Sequence, residues 1–242
     1  LLTVAILAGG LATRLRPKTE RVPKSLLEVN GEPFAVHQLR LLQSKGIRRV
    51  VLCVGYLGEL VQRAIGNGAA LGLQVDYSFD GPGLLGTAGA IRNALPKLGD
   101  SFFVMYGDSY LPCDYAAIAR NFERAGVLGM MTVFRNEGKW DTSNVEFEAG
   151  GVEGGKILAY SKTNRTPRMH YIDYGLGVFR AGAFENLPAG KACDLTEVYF
   201  DLLQRKQLAA FEVTERFYEI GSPAGLRETA EFLAAREAKQ EQ

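Results

Sequence analysis

Over residues 4–106, apolar runs of strand length alternate with segments of helix length, and this alternation limits the possible folds more than any other feature of the chain. Residues 4–7, 49–54, 74–79 and 102–106 read as strands, and residues 34–45, 57–65 and 87–95 as helices. Strands joined through helices run parallel, and the helices then cover both faces of the sheet. The expected class is therefore α/β, with a Rossmann-like, mainly parallel sheet. From residue 130 the pattern changes to shorter strands, 130–135, 143–148, 156–160 and 171–180, which predicts a smaller β-rich lobe. A chain of 242 residues holds one large domain or two small ones. No linker rich in Pro, Gly or Ser breaks it, so one domain over 1–242 is expected, with halves at about 1–128 and 129–221 and a last helix in 222–242.

In parallel sheets ligands gather beyond the carboxyl ends of the strands, where strand order reverses. Gly9-Gly10 follows the first strand and Gly107-Asp108 the fourth, so both are expected at one crevice. Glycine admits close backbone approach or positive φ, and exposed N–H groups receive anions. Arg14 offers a planar fork to phosphate oxygens and Lys24, after Pro23, a mobile point charge. Neither G-x-G-x-x-G nor G-K-[ST] occurs at this turn. A second glycine-rich loop, Asp80 to Ala90, leads from a strand end into a helix, with Thr87 as a candidate N-cap. Asp108, a carboxylate at a strand's end, suits a hard divalent cation shared with phosphate oxygens, or a turn cap.

Composition removes other classes. Lys plus Arg number 28 against 27 Asp plus Glu, which gives no basic field for nucleic acid. No apolar run approaches the roughly 18 residues of a membrane helix, and the first residues show neither a basic leader nor a signal-type cleavage site. A cytoplasmic protein is expected. Cys53, Cys113 and Cys193 lack metal-ligand spacing and read as free thiols, while His37 and His170 stand isolated. Trp140 suits stacking on a sugar or simple packing, and Asp194-Leu195-Thr196-Glu197 reads as a capped helix start.

Leu7-Ala8-Gly9-Gly10, Thr13-Arg14-Leu15, Pro17, Thr19, Pro23-Lys24, Leu26-Leu27 and Gly31, in that order, resemble the N-terminal signature of the sugar-1-phosphate nucleotidyltransferases, also called nucleotide-sugar pyrophosphorylases. Leu85-Gly86-Thr87-Ala88-Gly89, Gly107-Asp108 and Glu219-Ile220-Gly221 resemble later elements, and the likeness runs from Val4 to about Leu226. It implies that residues 1–128 bind a nucleoside triphosphate and 129–221 a sugar 1-phosphate. The implied catalytic residues are Arg14, Lys24 and Asp108, with Leu7, Ala8, Gly9, Gly10, Asp80, Gly86 and Thr87 at the nucleotide. Gly107, Asn144, Lys162, Asp173 and Gly175 are implied at the sugar phosphate, and Asp108 with Glu219 at Mg²⁺. Four positions depart from the pattern: Asp80, where relatives often carry Glu or Gln; Ser161 and Thr163, on either side of Lys162 in an element usually reading Glu-Lys-Pro; and Glu219, where aspartate is common.

The implied reaction is in-line attack of a sugar 1-phosphate oxygen on the α-phosphorus of the triphosphate. It needs positioning and charge neutralisation rather than a protein nucleophile, which agrees with the lack of a Ser-His or Cys-His constellation. The chain looks most like heptose- or hexose-1-phosphate nucleotidyltransferases of cell-envelope sugar pathways, and guanylyl transfer to a heptose 1-phosphate is the preferred expectation. Alternatives are uridylyl transfer to N-acetylmuramate 1-phosphate, cytidylyl transfer to a phosphate such as phosphocholine, or a catalytically silent nucleotide-sugar sensor. Neither nucleic acid nor membrane is an expected partner.

Overall fold

The computed structural model describes residues 1–10, 18–150 and 154–240. The first half gives strands β1 (Thr3–Leu7), β2 (Glu28–Val29), β3 (Glu32–Pro33), β4 (Arg49–Val54), β5 (Gln74–Phe79), β6 (Ser101–Tyr106) and β7 (Ser109–Tyr110). Helices α1 (Phe34–Ser44), α2 (Gly58–Ile65), α3 (Gly86–Leu98) and α4 (Tyr115–Ala125) connect or follow them. The second half adds β8 (Gly129–Arg135), β9 (Val145–Ala149), β10 (Gly155–Tyr160), β11 (Tyr171–Arg180), α5 (Leu195–Gln204), β12 (Leu208–Val213), β13 (Tyr218–Glu219) and α6 (Pro223–Gln240). Among the described residues no helix is long and apolar enough to cross a membrane.

Nine strands form one sheet in the order β5-β4-β1-β6-β11-β8-β12-β10-β9. The first four are parallel, as are β8 and β12, and only β11 and β10 oppose the common direction. The sheet is thus mainly parallel, and the two halves are continuous through the β6–β11 ladder. From β1 the chain moves outward to β4 and β5, then crosses back to β6 on the other side of β1. That reversal opens a crevice beyond the carboxyl ends of β1 and β6.

The central strands are apolar on both faces because helices cover both. Val4 and Ile6 pack with Leu39, Leu42 and Phe122 on one side, whereas Ala5 faces Ala88, Ile91 and Val198 on the other. Phe103 and Phe102 divide in the same way between the two cores. A buried phenylalanine cut to alanine at such a place costs about 3–5 kcal/mol. A third, smaller core joins Leu27, Val29, Phe34 and Leu41 to Tyr110, Ile220 and Leu233. It fixes the chain after Lys24, the β7–β13 ribbon and α6 against one another, and so aligns the residues at the crevice.

The elements α4 and β12 and the two-residue strands β2, β3, β7 and β13 are absent from the sequence expectation, and α3 runs from Gly86 to Leu98 rather than over 87–95. Thr87 is not a cap: Leu85 occupies that position without a side-chain bond, and the Thr87 hydroxyl instead accepts from the Leu195 N–H at 2.6 Å. Asp194 does cap α5, accepting from the Thr196 N–H, while Glu197 accepts from the Asp194 N–H in a capping box.

Candidate active site

The crevice begins where β1 and β6 end. The Ala8 N–H donates to the Cys53 carbonyl at 2.8 Å and the Gly107 N–H to the Leu7 carbonyl at 2.9 Å, so the two strand ends stay in register past the sheet. Gly107 permits this closeness, because a Cβ there would lie 2.8 Å from the Leu7 oxygen. Gly9 abuts Gly55, where a Cβ would stand 3.0 Å from the Gly55 nitrogen, whereas Gly10 faces open space. The pair thus divides its work: Gly9 serves backbone packing, and Gly10 leaves room beside the cavity.

Pro23 is buried and sets up the short turn Lys24–Leu26, from which the Lys24 ammonium reaches Asp108 and donates to its Oδ2. The Ser109 hydroxyl stands 3.4 Å from the other Asp108 oxygen, and the Asp108 carbonyl accepts from the Ile220 N–H. Gln38, a buried residue on α1, donates to the carbonyls of Tyr106 at 3.1 Å and Ser109 at 2.6 Å, clamping the backbone on both sides of Gly107-Asp108. The sequence reading missed Gln38. A lone amide on the otherwise apolar face of a helix was the available signal, since a buried amide needs fixed partners.

Two cavities meet at this ion pair. The first, about 280 Å³, is walled by Leu7, Ala8, Gly9, Gly10, Cys53, Asp80, Leu84, Gly86 and Thr87, with Gly107 at its inner end. The second, about 670 Å³, is walled by Trp140, Asp141, Asp173, Tyr174, Gly175, Phe217 and Glu219. Lys24, Tyr106 and Asp108 belong to both. Asp80 accepts from the Leu85 N–H at 3.2 Å, and burial raises its carboxyl above the ordinary range against that bond.

Asp173 sits where β11 departs from its register with β8. Its N–H donates to Asn144 Oδ1 and its carboxylate accepts from the Gly175 N–H, both at 3.0 Å. Gly175 has φ +91°, which lets the chain turn back onto the carboxylate. Burial raises the Asp173 carboxyl, opposed by the Gly175 bond and the Lys162 charge. Glu219 lies opposite Ser109 in the β7–β13 ribbon, and its carboxylate folds onto the next turn, accepting from the Gly221 N–H and, at 3.1 Å, the Ser222 hydroxyl.

The residues expected at the sugar phosphate therefore separate. Asp173 and Gly175 line the second cavity and Gly107 the first; Asn144 braces Asp173 from behind. Lys162 is exposed, outside the lining of both cavities, with its ammonium 3.8 Å from Asp194. Trp140 lines the second cavity with the Arg216 guanidinium stacked 3.4 Å from its ring centre. Arg14 lies outside the described residues. No group of three His, Cys, Asp or Glu side chains among the described residues is arranged to hold a metal by itself. Asp108 and Glu219 both line the second cavity, the Asp108 carboxylate paired with Lys24 and that of Glu219 turned onto Gly221 and Ser222; oxygen donors of this type are those a hard cation takes when bound through one or two carboxylates.

The loop from Leu85 to Gly89 is sewn to a distant segment, residues 191–195. The Cys193 N–H donates to the Leu85 carbonyl and the Ala88 N–H to the Cys193 carbonyl, both at 2.9 Å. A Cβ on Gly86 would meet the Cys193 oxygen at 2.5 Å, and one on Gly89 the Lys191 oxygen at 2.7 Å.

The nucleotidyl transferase family model matches residues 3–236. The chain is 28% identical to the N-acetylmuramate alpha-1-phosphate uridylyltransferase of Neisseria meningitidis serogroup B, over 95% of this chain and 97% of that protein. It is also 28% identical to the mannose-1-phosphate guanylyltransferase catalytic subunit beta of Xenopus tropicalis, over 90% of this chain but 61% of that longer protein. Among solved structures, HddC from Yersinia pseudotuberculosis complexed with GMP-PN shares the fold, with a TM-score of 0.75 at 22% identity, covering 96% of this chain and all of the other. With a switch-point crevice of this shape and a family match over nearly its whole length, the chain belongs to the nucleotidyl transferase family.

Proposed function

We propose that the protein transfers a nucleoside monophosphate from a nucleoside triphosphate to a sugar 1-phosphate, releasing pyrophosphate. The observation that carries this reading is the pair of cavities sharing Lys24 and Asp108. The first, walled largely by backbone and small side chains, suits a nucleotide, and the second, walled by polar and aromatic side chains, suits a sugar. A phosphate at their junction would face an ammonium and a carboxylate at once.

In this reading Lys24 neutralises charge on the triphosphate as the displacement proceeds, with Arg14 as its proposed companion, and Gln38 holds the backbone that carries Asp108. Asp108, with Glu219 beside it, would hold Mg²⁺ against phosphate oxygens. Such a cation, when bound, neutralises phosphate charge and orients the leaving pyrophosphate. Asp173 and Gly175 are proposed at the sugar, and Lys162 at its phosphate after release from Asp194. Asp80 is proposed at the base. A carboxylate accepts two parallel N–H bonds, and guanine offers two such donors side by side, which favours guanylyl transfer. A heptose or hexose 1-phosphate is the proposed acceptor, in a cytoplasmic route to cell-envelope sugars.

The test is pyrophosphate release over the common nucleoside triphosphates and a panel of sugar 1-phosphates with Mg²⁺. Guanosine triphosphate with a hexose or heptose 1-phosphate is expected to give the highest rate. Release with no pair in the panel would remove the proposal.

A further inference from the structure

The second cavity has a charge pattern that bears on its substrate. Four acidic residues, Asp108, Asp141, Asp173 and Glu219, line it, and Lys24 is the one cation among the described residues lining it. Lys24 is already paired with Asp108. Two further cations among the described residues, Arg216 and Lys162, are also engaged. Arg216 stacks on Trp140 and pairs with Glu228, and Lys162 stands by Asp194. A cation held at Asp108 and Glu219 would serve the phosphates, leaving Asp141 and Asp173 to face the remainder of the acceptor. Carboxylates accept hydrogen bonds and donate none, so they match hydroxyl groups and repel another carboxylate.

We infer that the acceptor is an uncharged, hydroxyl-rich sugar 1-phosphate and that the cavity rejects sugars bearing a carboxylate. This rests on the proposed transfer to a sugar 1-phosphate and narrows it. It also separates this chain from its uridylyltransferase relative, whose named substrate, N-acetylmuramate 1-phosphate, carries a lactyl carboxylate.

Matched pairs decide the matter: glucose against glucuronic acid 1-phosphate, and N-acetylglucosamine against N-acetylmuramate 1-phosphate, each with the same triphosphate and Mg²⁺. The neutral member of each pair is expected to exceed the acid member at least tenfold in kcat/KM. The gap should narrow when salt rises from about 50 mM to about 0.5 M, because added ions screen the repulsion. Asp141→Asn should raise kcat/KM for the acid sugars more than for the neutral ones, and Asp173→Asn provides a second variant should the first fold poorly. Equal use of both members, or preference for the acid, overturns the inference while leaving nucleotidyl transfer intact. Where no pair turns over, nucleotidyl transfer to sugars fails instead. Calorimetric binding of the same pairs beside a non-hydrolysable triphosphate then still decides, with equal affinities counting against the inference.

Discussion

The two cavities are built by different means. The first takes its wall from strand ends and the loops just after them, with Asp80 the only charged side chain besides the shared Lys24 and Asp108 among the residues described there. Besides the shared Lys24, the second draws on residues 106–109, 140–141, 172–175 and 217–223, four further parts of the chain, and its wall is acidic and aromatic. A wall of backbone and small residues tolerates little substitution, since added atoms collide with main chain, as at Gly9 and Gly107. A wall of side chains can change without moving a strand. The first cavity therefore suits the part of a reaction common to a family, and the second the part that differs between members.

The largest expected effect lies at the shared centre. Asp108→Asn should lower turnover by about 10³ or more at any Mg²⁺ concentration, and Lys24→Ala by about 10² or more, with circular dichroism unchanged. Near-normal turnover in either folded variant would mean that the cavities do not share a reacting phosphate. Next comes Gly86→Ala, which combines a left-handed φ of +68° with the contact at the Cys193 oxygen. It should cost about 2–3 kcal/mol in urea unfolding. A smaller loss would show that the 191–195 segment yields easily.

Glu219→Gln should reduce activity in a way that raising Mg²⁺ partly restores, and Glu219→Asp should stay active; a rate indifferent to both would assign Glu219 to the turn at Gly221 alone. The smallest effect is expected from Asp173→Asn, read as stability. Burial raises the Asp173 carboxyl above its ordinary 3.8. A raised carboxyl helps folding fully below the unfolded value and loses that help as pH rises through the folded value. The variant, which does not titrate, should have a higher Tm than the parent at pH 7, and the gain should shrink toward pH 4. An equal gain at both pH values would contradict a burial cost on the charge.

Legibility in sequence follows the same division. β4, β5 and β11 fall where the apolar runs predict, because strands buried on one or both faces carry their own signal. β12, whose strand residues Ala209, Ala210 and Phe211 sit among charged neighbours, gave a weaker pattern, and α4 begins behind Pro112 and Cys113 in a stretch to which the sequence reading assigned no element. The switch point could be anticipated from Gly9-Gly10 and Gly107-Asp108, which lie next to strands in the chain. The second cavity was legible only in part. Asp173, Gly175 and Glu219, singled out by likeness, and Trp140, as one of two readings, do line it, whereas Asp141 and Phe217 join them only through tertiary packing and nothing local distinguishes them from surface residues. Lys162, read by likeness, pairs with Asp194 because a capped helix start lies across from it, a relation between residues 32 positions apart in the sequence.

The seam between residues 85–89 and 191–195 has an evolutionary corollary. The loop beside the proposed base pocket takes its hydrogen-bond partners, and its demand for glycine at 86 and 89, from a segment in the other half of the molecule. A recombination event that exchanged everything after residue 128 for the matching half of a relative would replace the acceptor wall and the backing of the base loop together. Base choice and sugar choice would then be inherited as a linked trait, and their divergence within the family would proceed by paired changes across this seam rather than by free shuffling of halves.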